Sequence, residues 1–222
     1  MDARPLFFTL LLMTAATAAE AGVIRGTLTI HSVVAAAEGG GNPYPGRANS
    51  LVRTGAELRG TVDDAVIFVE KLPPGVDSTL AQPHPRPRLS QKDQTFIPRV
   101  IAVAAGESVD FPNMDPIYHN VFSPSPVKRF DLGKYPRGQS RSVKFPRPGL
   151  VNVFCDIHSN MEAYVLVLPH HAYARPDEHG RFQLPALPAG AYVVRAWHPD
   201  FREQRREVRI PEGGDVTVDL GF

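Results

Sequence analysis

The stretch Val151-Asn-Val-Phe-Cys155-Asp-Ile-His158-Ser-Asn-Met161 sets the reading of the chain. Val151, Val153 and the intervening polar residue alternate as a half-buried strand does, and the run closes on Cys155, the only cysteine of the 222 residues. His158 and Met161 follow three and six positions later. A thiolate, an imidazole and a thioether therefore share one short loop. Soft sulfur favours Cu(I), imidazole tolerates both Cu(I) and Cu(II), and a weak thioether tunes the balance, so copper suits this set. A second imidazole is required. His119, in Asn113-Met-Asp-Pro-Ile-Tyr-His-Asn-Val121, is the best placed candidate.

The single cysteine points the same way. Residues 1–21 have the pattern of a secretory signal, with Arg4, a short apolar run Leu6–Met13 and small residues around Ala16–Ala21. That apolar run is too short to span a bilayer, and no other stretch is a candidate span. The expectation is export, to a periplasm or its equivalent. A lone cysteine there has no partner for an internal disulfide, and metal binding would account for it.

Pro (22) and Gly (18) are abundant, which argues for short strands and many turns. The net charge of +1 does not call for nucleic acid. Strands are expected at 22–30, 63–72, 95–104, 108–111, 121–123, 140–145, 150–154 and 163–168. Further strands are expected near 181–184, 191–197, 207–210 and 215–220. Residues 35–58 read as a mobile surface insertion, 80–89 as an extended Pro-rich linker in which His84 is solvated, and 128–135 as irregular. His170 and His171 are adjacent on an extended chain, so they face opposite ways, and both are expected at the surface. Trp197-His198-Pro199 reads as packing and a turn.

Residues 91–168 resemble the cupredoxins, the plastocyanin/amicyanin-like blue-copper proteins. The residues that carry this are Pro98-x-x-Ile-x-Val-x-x-Gly-Glu-x-Val109, Asn113-x-Asp115, His119-Asn-Val121, Pro136-Arg-Gly138, Phe145-x-x-Pro-Gly149 and Phe154-Cys-x-x-His-x-x-Met161. The resemblance implies a Greek-key sandwich with one mononuclear type 1 copper. It implies His119 and His158 as equatorial ligands, Cys155 as the thiolate and Met161 as the axial ligand. It gives Asn120 a bracing role through hydrogen bonds between the ligand loops.

Residues 169–222 resemble the carboxypeptidase regulatory-like, transthyretin-like sandwich through Asp177-x-x-Gly-x-Phe-x-Leu184, Leu187-Pro-Ala-Gly-x-Tyr192 and Trp197-His-Pro199. That family normally opens with strands like Gly26–Ile30 and Ala65–Val69. The expected organisation is all-β: a signal at 1–21, regulatory-like strands at 22–75, a linker at 76–90, the copper domain at 91–168, and the rest of the regulatory-like sandwich at 169–222. The combination resembles the exported proteins loosely called methylamine utilization proteins.

The function expected is electron transfer, with no catalysis. Cys155 and His158 as nucleophile and base would lack an orienting acid and oxyanion donors. The alternative is a non-redox module that carries copper or binds a protein or glycan. Between Lys128 and Arg147 the chain holds seven basic residues against one acid, Asp131. That composition fits either a solvated face or a docking patch for an acidic redox partner.

Overall fold

A computed structural model describes residues 21–31 and 61–222. The expected signal at 1–21, apart from Ala21, and the expected insertion at 35–58 lie outside the described residues.

The strands run in chain order as Ala21–Gly22 (β1), Ile24–Thr29 (β2) and Val66–Val69 (β3), then after the one-turn helix Val76–Leu80 (α1) as Ser90–Lys92 (β4), Thr95–Ile97 (β5), Val100–Ala104 (β6), Ser108–Pro112 (β7), His119–Ser123 (β8), Phe130–Tyr135 (β9), Ser140–Lys144 (β10), Gly149–Phe154 (β11) and Glu162–Leu168 (β12). The last part of the chain adds Tyr173–Ala174 (β13), Arg181–Gln183 (β14), Leu187–Pro188 (β15), Gly190–His198 (β16), Phe201–Ile210 (β17), Val216–Thr217 (β18) and Leu220–Gly221 (β19). The protein is all-β, as expected. Among the described residues no helix is long and apolar enough to cross a membrane.

Two sandwiches share the chain. In the first, a five-stranded sheet ordered β6-β12-β11-β8-β9 faces the pair β10-β7. β6 and β12 run parallel, and the other neighbours are antiparallel. Val109, Phe111, Val121, Val151, Val153 and Phe145 fill the space between. In the second, the sheet β13-β3-β16-β17 faces a sheet built on β2 with β14, β18 and β19. Strands from before residue 75 thus pair with strands from after residue 169. Residues 90–168, which build the first sandwich, lie in the chain between the two halves of the second.

The apolar runs explain why the sandwiches stack. Every residue of Val100-Ile-Ala-Val-Ala104 is buried, and a strand covered on both faces loses its period-2 alternation. Ile101 and Val103 point into the first core. Val100 and Ala102, with Leu166 and Leu168 of the adjacent strand β12, meet Val66 and Phe68 of the neighbouring sheet. Tyr164 and Trp197 close this seam with ring centroids 6.1 Å apart. Arg99 sits over the Tyr164 ring and donates two hydrogen bonds to Asp200, at 2.7 and 3.0 Å, and one to Asp64 at 3.2 Å.

Several local expectations change. Residues 130–135 form a strand where irregular chain was expected. β9 is an edge strand, and its sequence Phe-Asp-Leu-Gly-Lys-Tyr, with Gly133 at φ +62°, carries little alternation. β17 begins at Phe201 and not at residue 207, because an exposed edge strand rich in Arg and Glu has no apolar stripe to announce it. β3 is shorter than 63–72, since Val62–Asp64 form a 3-10 turn. The Pro-rich linker is held down: Leu89 is fully buried, its amide donates to Asp110 O, and Asp110 N donates to Pro87 O. His84 stays partly exposed but bonds Glu107 at 2.6 Å. His170 is buried, not exposed, at 6%. Only His171, which faces the other way and bonds Asp77, reaches the surface.

Candidate metal centre

Three of the four expected ligands converge at one end of the first sandwich. His119 opens β8, and Cys155 follows the last residue of β11. The loop 155–161 folds back on itself, because Cys155 N donates to Met161 O at 3.3 Å and Met161 N donates to His158 O at 3.1 Å. This turn brings His158 over the cysteine. The Cys155 Sγ lies 3.8 Å from Nδ1 of His119 and 3.8 Å from Nδ1 of His158. The two Nδ1 atoms are 3.1 Å apart. All three donor atoms lie within 4.8 Å of one another. Met161 is buried in the same core cluster, 1% exposed, and returns the chain into β12. His119 is fully buried and Cys155 nearly so, while His158 is half-buried beside the exposed Asp156 and Ile157.

The orientation of His119 has a cause. Its Nε2 faces the Asp115 carboxylate at 2.7 Å. An ionised carboxylate only accepts, so Nε2 carries the proton and Nδ1 presents its lone pair to the cluster. Asp115 is fixed in turn by the amides of Asp93 (2.6 Å) and Gln94 (2.9 Å). Those two residues have φ of 53° and 55°, the consecutive left-handed pair of a tight hairpin turn, here joining β4 to β5. Burial pushes the Asp115 pKa up, but the Gln94 amide, the His119 ring and the Asp93 amide outweigh it, so the group stays below the ordinary carboxylate range. Asn113 completes the brace. Its Oδ1 accepts from Asp115 N, and its Nδ2 donates to Ile117 O and Tyr135 O, each at 2.9 Å.

Asn120, expected to brace the ligand loops, is buried, at 3% exposed. Its Oδ1 is buried with no hydrogen-bond partner. Asn113 and Asp115 hold the upstream loop. The signal for them was in the sequence, four and six residues before His119, but the hairpin that supplies the amides lies more than twenty residues earlier. A second buried network lies next to this one. Tyr135, opposite His119 in the β8–β9 ladder, donates to Phe111 O at 2.8 Å and meets Gln91 Nε2 at 2.6 Å. Burial pushes the Tyr135 pKa up to about 12.

No protein-family model matches the chain, and no curated protein matches it. Among solved structures it is similar to a copper-containing nitrite reductase from Thermus scotoductus SA-01, at 22% identity and a TM-score of 0.37. That match covers 41% of this chain and 26% of the reductase, so the chain spans about a quarter of that protein's length. It is similar to amicyanin from Paracoccus versutus at 21% identity and a TM-score of 0.36, over 46% of this chain and 97% of amicyanin. A purple cupredoxin from Nitrosopumilus maritimus gives 17% identity and a TM-score of 0.34, over 37% of this chain and 99% of the other.

The residues present fit copper. Two imidazole Nδ1 atoms and one sulfur face a common point, and a buried methionine follows in the same loop. Zinc in a structural site rarely takes a thioether.

Proposed function

We propose that the protein is an exported one-electron carrier. In this reading residues 91–168 are a cupredoxin in which His119, Cys155 and His158, with the thioether of Met161, would hold a single copper ion of type 1 character. The observation that carries the reading is the convergence of the two Nδ1 atoms and the Cys155 Sγ within 4.8 Å. A bound copper ion supplies a Cu(I)/Cu(II) couple. The chain supplies everything else. Asp115 and the 93–94 turn hold His119 in one tautomer, and the backbone bonds of the 155–161 loop hold His158. A site preset in this way needs little rearrangement when its charge changes by one. Core packing keeps water from Cys155 and Met161, and the half-buried His158 is the ligand through which electrons would cross the surface.

No step in this reading makes or breaks a covalent bond, so it assigns the protein electron transfer and no catalysis. Export rests on the signal pattern of residues 1–21 together with the lone cysteine. The second sandwich is read as regulatory-like, on the residues quoted for it. The test is the visible and EPR spectrum of the Cu(II)-loaded mature protein. An intense thiolate-to-copper band with narrow copper hyperfine splitting is expected, and both should vanish in Cys155→Ser.

A further inference from the structure

The seven basic residues of 128–147 have a distinct place in the fold. β9 ends the five-stranded sheet and β10 ends the facing pair, so the two strands border one open seam of the sandwich. Arg141 of β10 lays its guanidinium 5.0 Å over the ring of Tyr135 on β9, which ties the seam together. Lys134, Arg137, Arg141, Lys144 and Arg147 are exposed along it, with Arg129, while Lys128 is half-buried.

Elsewhere six arginines are matched by carboxylates, Arg25 by Asp215, Arg86 by Asp110, Arg99 by Asp200, Arg181 by Asp177, Arg195 by Glu203 and Arg205 by Glu70. Arg88, Arg175, Arg202, Arg206 and Arg209 stand without an ion pair among the described residues, but they do not line one seam with no paired cation among them. None of the seven basic residues on the seam has an ion pair among the described residues. The one acid among them, Asp131, accepts the amide of Gly133. A solvated face gains little from such one-sided charge, which repels itself.

The seam also reaches the metal end. Lys134 is the register partner of Asn120, and Tyr135 of His119. The turn carrying Arg137 is bonded to Asn113 in both directions, Gly138 N to Asn113 O at 2.8 Å and Asn113 N to Gln139 O at 2.9 Å. Asn113 in turn holds the loop of Asp115 and His119. The cations nearest the ligand strand are therefore fixed relative to it.

We infer that the β9–β10 seam is the docking surface for an acidic redox protein, with Lys134, Arg137 and Arg141 as the contacts nearest the metal. The inference rests on the electron-carrier reading. The partner gains or loses one electron as copper passes between Cu(I) and Cu(II), and no bond changes. Unpaired cations of one sign speed the encounter with an acidic face and orient it, at a rate that falls with salt.

Two probes test this, the first of them independent of the copper site. The first is hexacyanochromate(III), a redox-inert paramagnetic trianion, titrated against the isotope-labelled mature protein without copper. Amide signals of residues 134–144 should broaden selectively. The broadening should disappear in Lys134→Glu/Arg137→Glu/Arg141→Glu and persist in Lys128→Glu/Arg129→Glu/Arg147→Glu. Broadening spread evenly over the surface would overturn the inference whatever the copper spectrum shows.

The second probe is electron exchange of the copper-loaded protein. Oxidation of Cu(I) by hexacyanoferrate(III) should slow about tenfold in the first triple variant at low ionic strength, and reduction of Cu(II) by hexaammineruthenium(II) should quicken. Equal rates in wild type and variant would overturn it. Sedimentation with phosphatidylglycerol vesicles, lost in the same variant, would assign the seam to a membrane surface and overturn the protein partner.

Discussion

Nε2 of His119 and the carboxylate of Asp115 lie 2.7 Å apart, in a site where His119 is fully buried and Asp115 is 5% exposed. The pair decides which ring nitrogen of His119 faces Cys155. Asp115→Asn keeps the shape but replaces a charged acceptor with an amide. Copper affinity should fall about 10- to 100-fold, the usual loss when the group behind a ligating imidazole is changed. Competition with a copper chelator, read by the visible band, would measure it. An unchanged affinity would mean that the 93–94 turn orients His119 without the carboxylate.

Arg99 predicts how the two sandwiches are coupled. Its side chain is 20% exposed, between Asp200 at 26% and Asp64 at 10%. Removing the guanidinium takes two hydrogen bonds from Asp200 and one from Asp64. Arg99→Met should cost about 2–3 kcal/mol, between the limits for exposed and for buried pairs. Trp197 is the only tryptophan and packs on Tyr164 at this seam. Its fluorescence in urea should therefore report separation of the sandwiches earlier in the variant, ahead of loss of the copper band.

A third prediction concerns pH. His170 and His198 are 6% and 2% exposed. Burial is the largest influence on each and lowers both pKa values from 6.5. Asp200 N donates to Nδ1 of His198, which fixes its neutral form with Nε2 facing Thr61 O. A histidine with a depressed folded pKa is uncharged in both states above pH 6.5. Below that the unfolded chain takes the proton first, so stability falls with falling pH until the folded pKa is passed. The melting temperature should drop between pH 6.5 and 5, and a His170→Gln/His198→Asn variant should show a flatter slope over that window.

Much of this was legible in residue pattern alone. Cys155, His158 and Met161 are close in sequence, so their spacing displays the site. His119 could be found because copper chemistry demands a second imidazole. The fully buried strand Val100–Ala104 also declares itself, through an apolar run, whereas the pairing of strands before residue 75 with strands after residue 169 was suggested only by a family resemblance. The edge strands do not. Phe130–Tyr135 and Phe201–Ile210 are held by backbone pairing with β8 and β16; Phe130, Leu132 and Tyr135 of the first and Val208 and Ile210 of the second pack inward, but charged and exposed residues between them leave the apolar pattern too sparse to announce either strand. The Asp115 brace is hidden for another reason. Its donors are main-chain amides of Asp93 and Gln94, which any residue could supply, and their aim is set by turn geometry. Asn120 shows the converse: a residue type suited to hydrogen bonding is placed where its Oδ1 meets none.

The most direct test of the account is the absorption and EPR spectrum of the mature protein after Cu(II) loading, taken beside Cys155→Ser. The account predicts an intense visible charge-transfer band and narrow copper hyperfine splitting in the wild type, with neither in the variant. A wild-type protein that stays colourless with Cu(II) after its thiol has been reduced would contradict it.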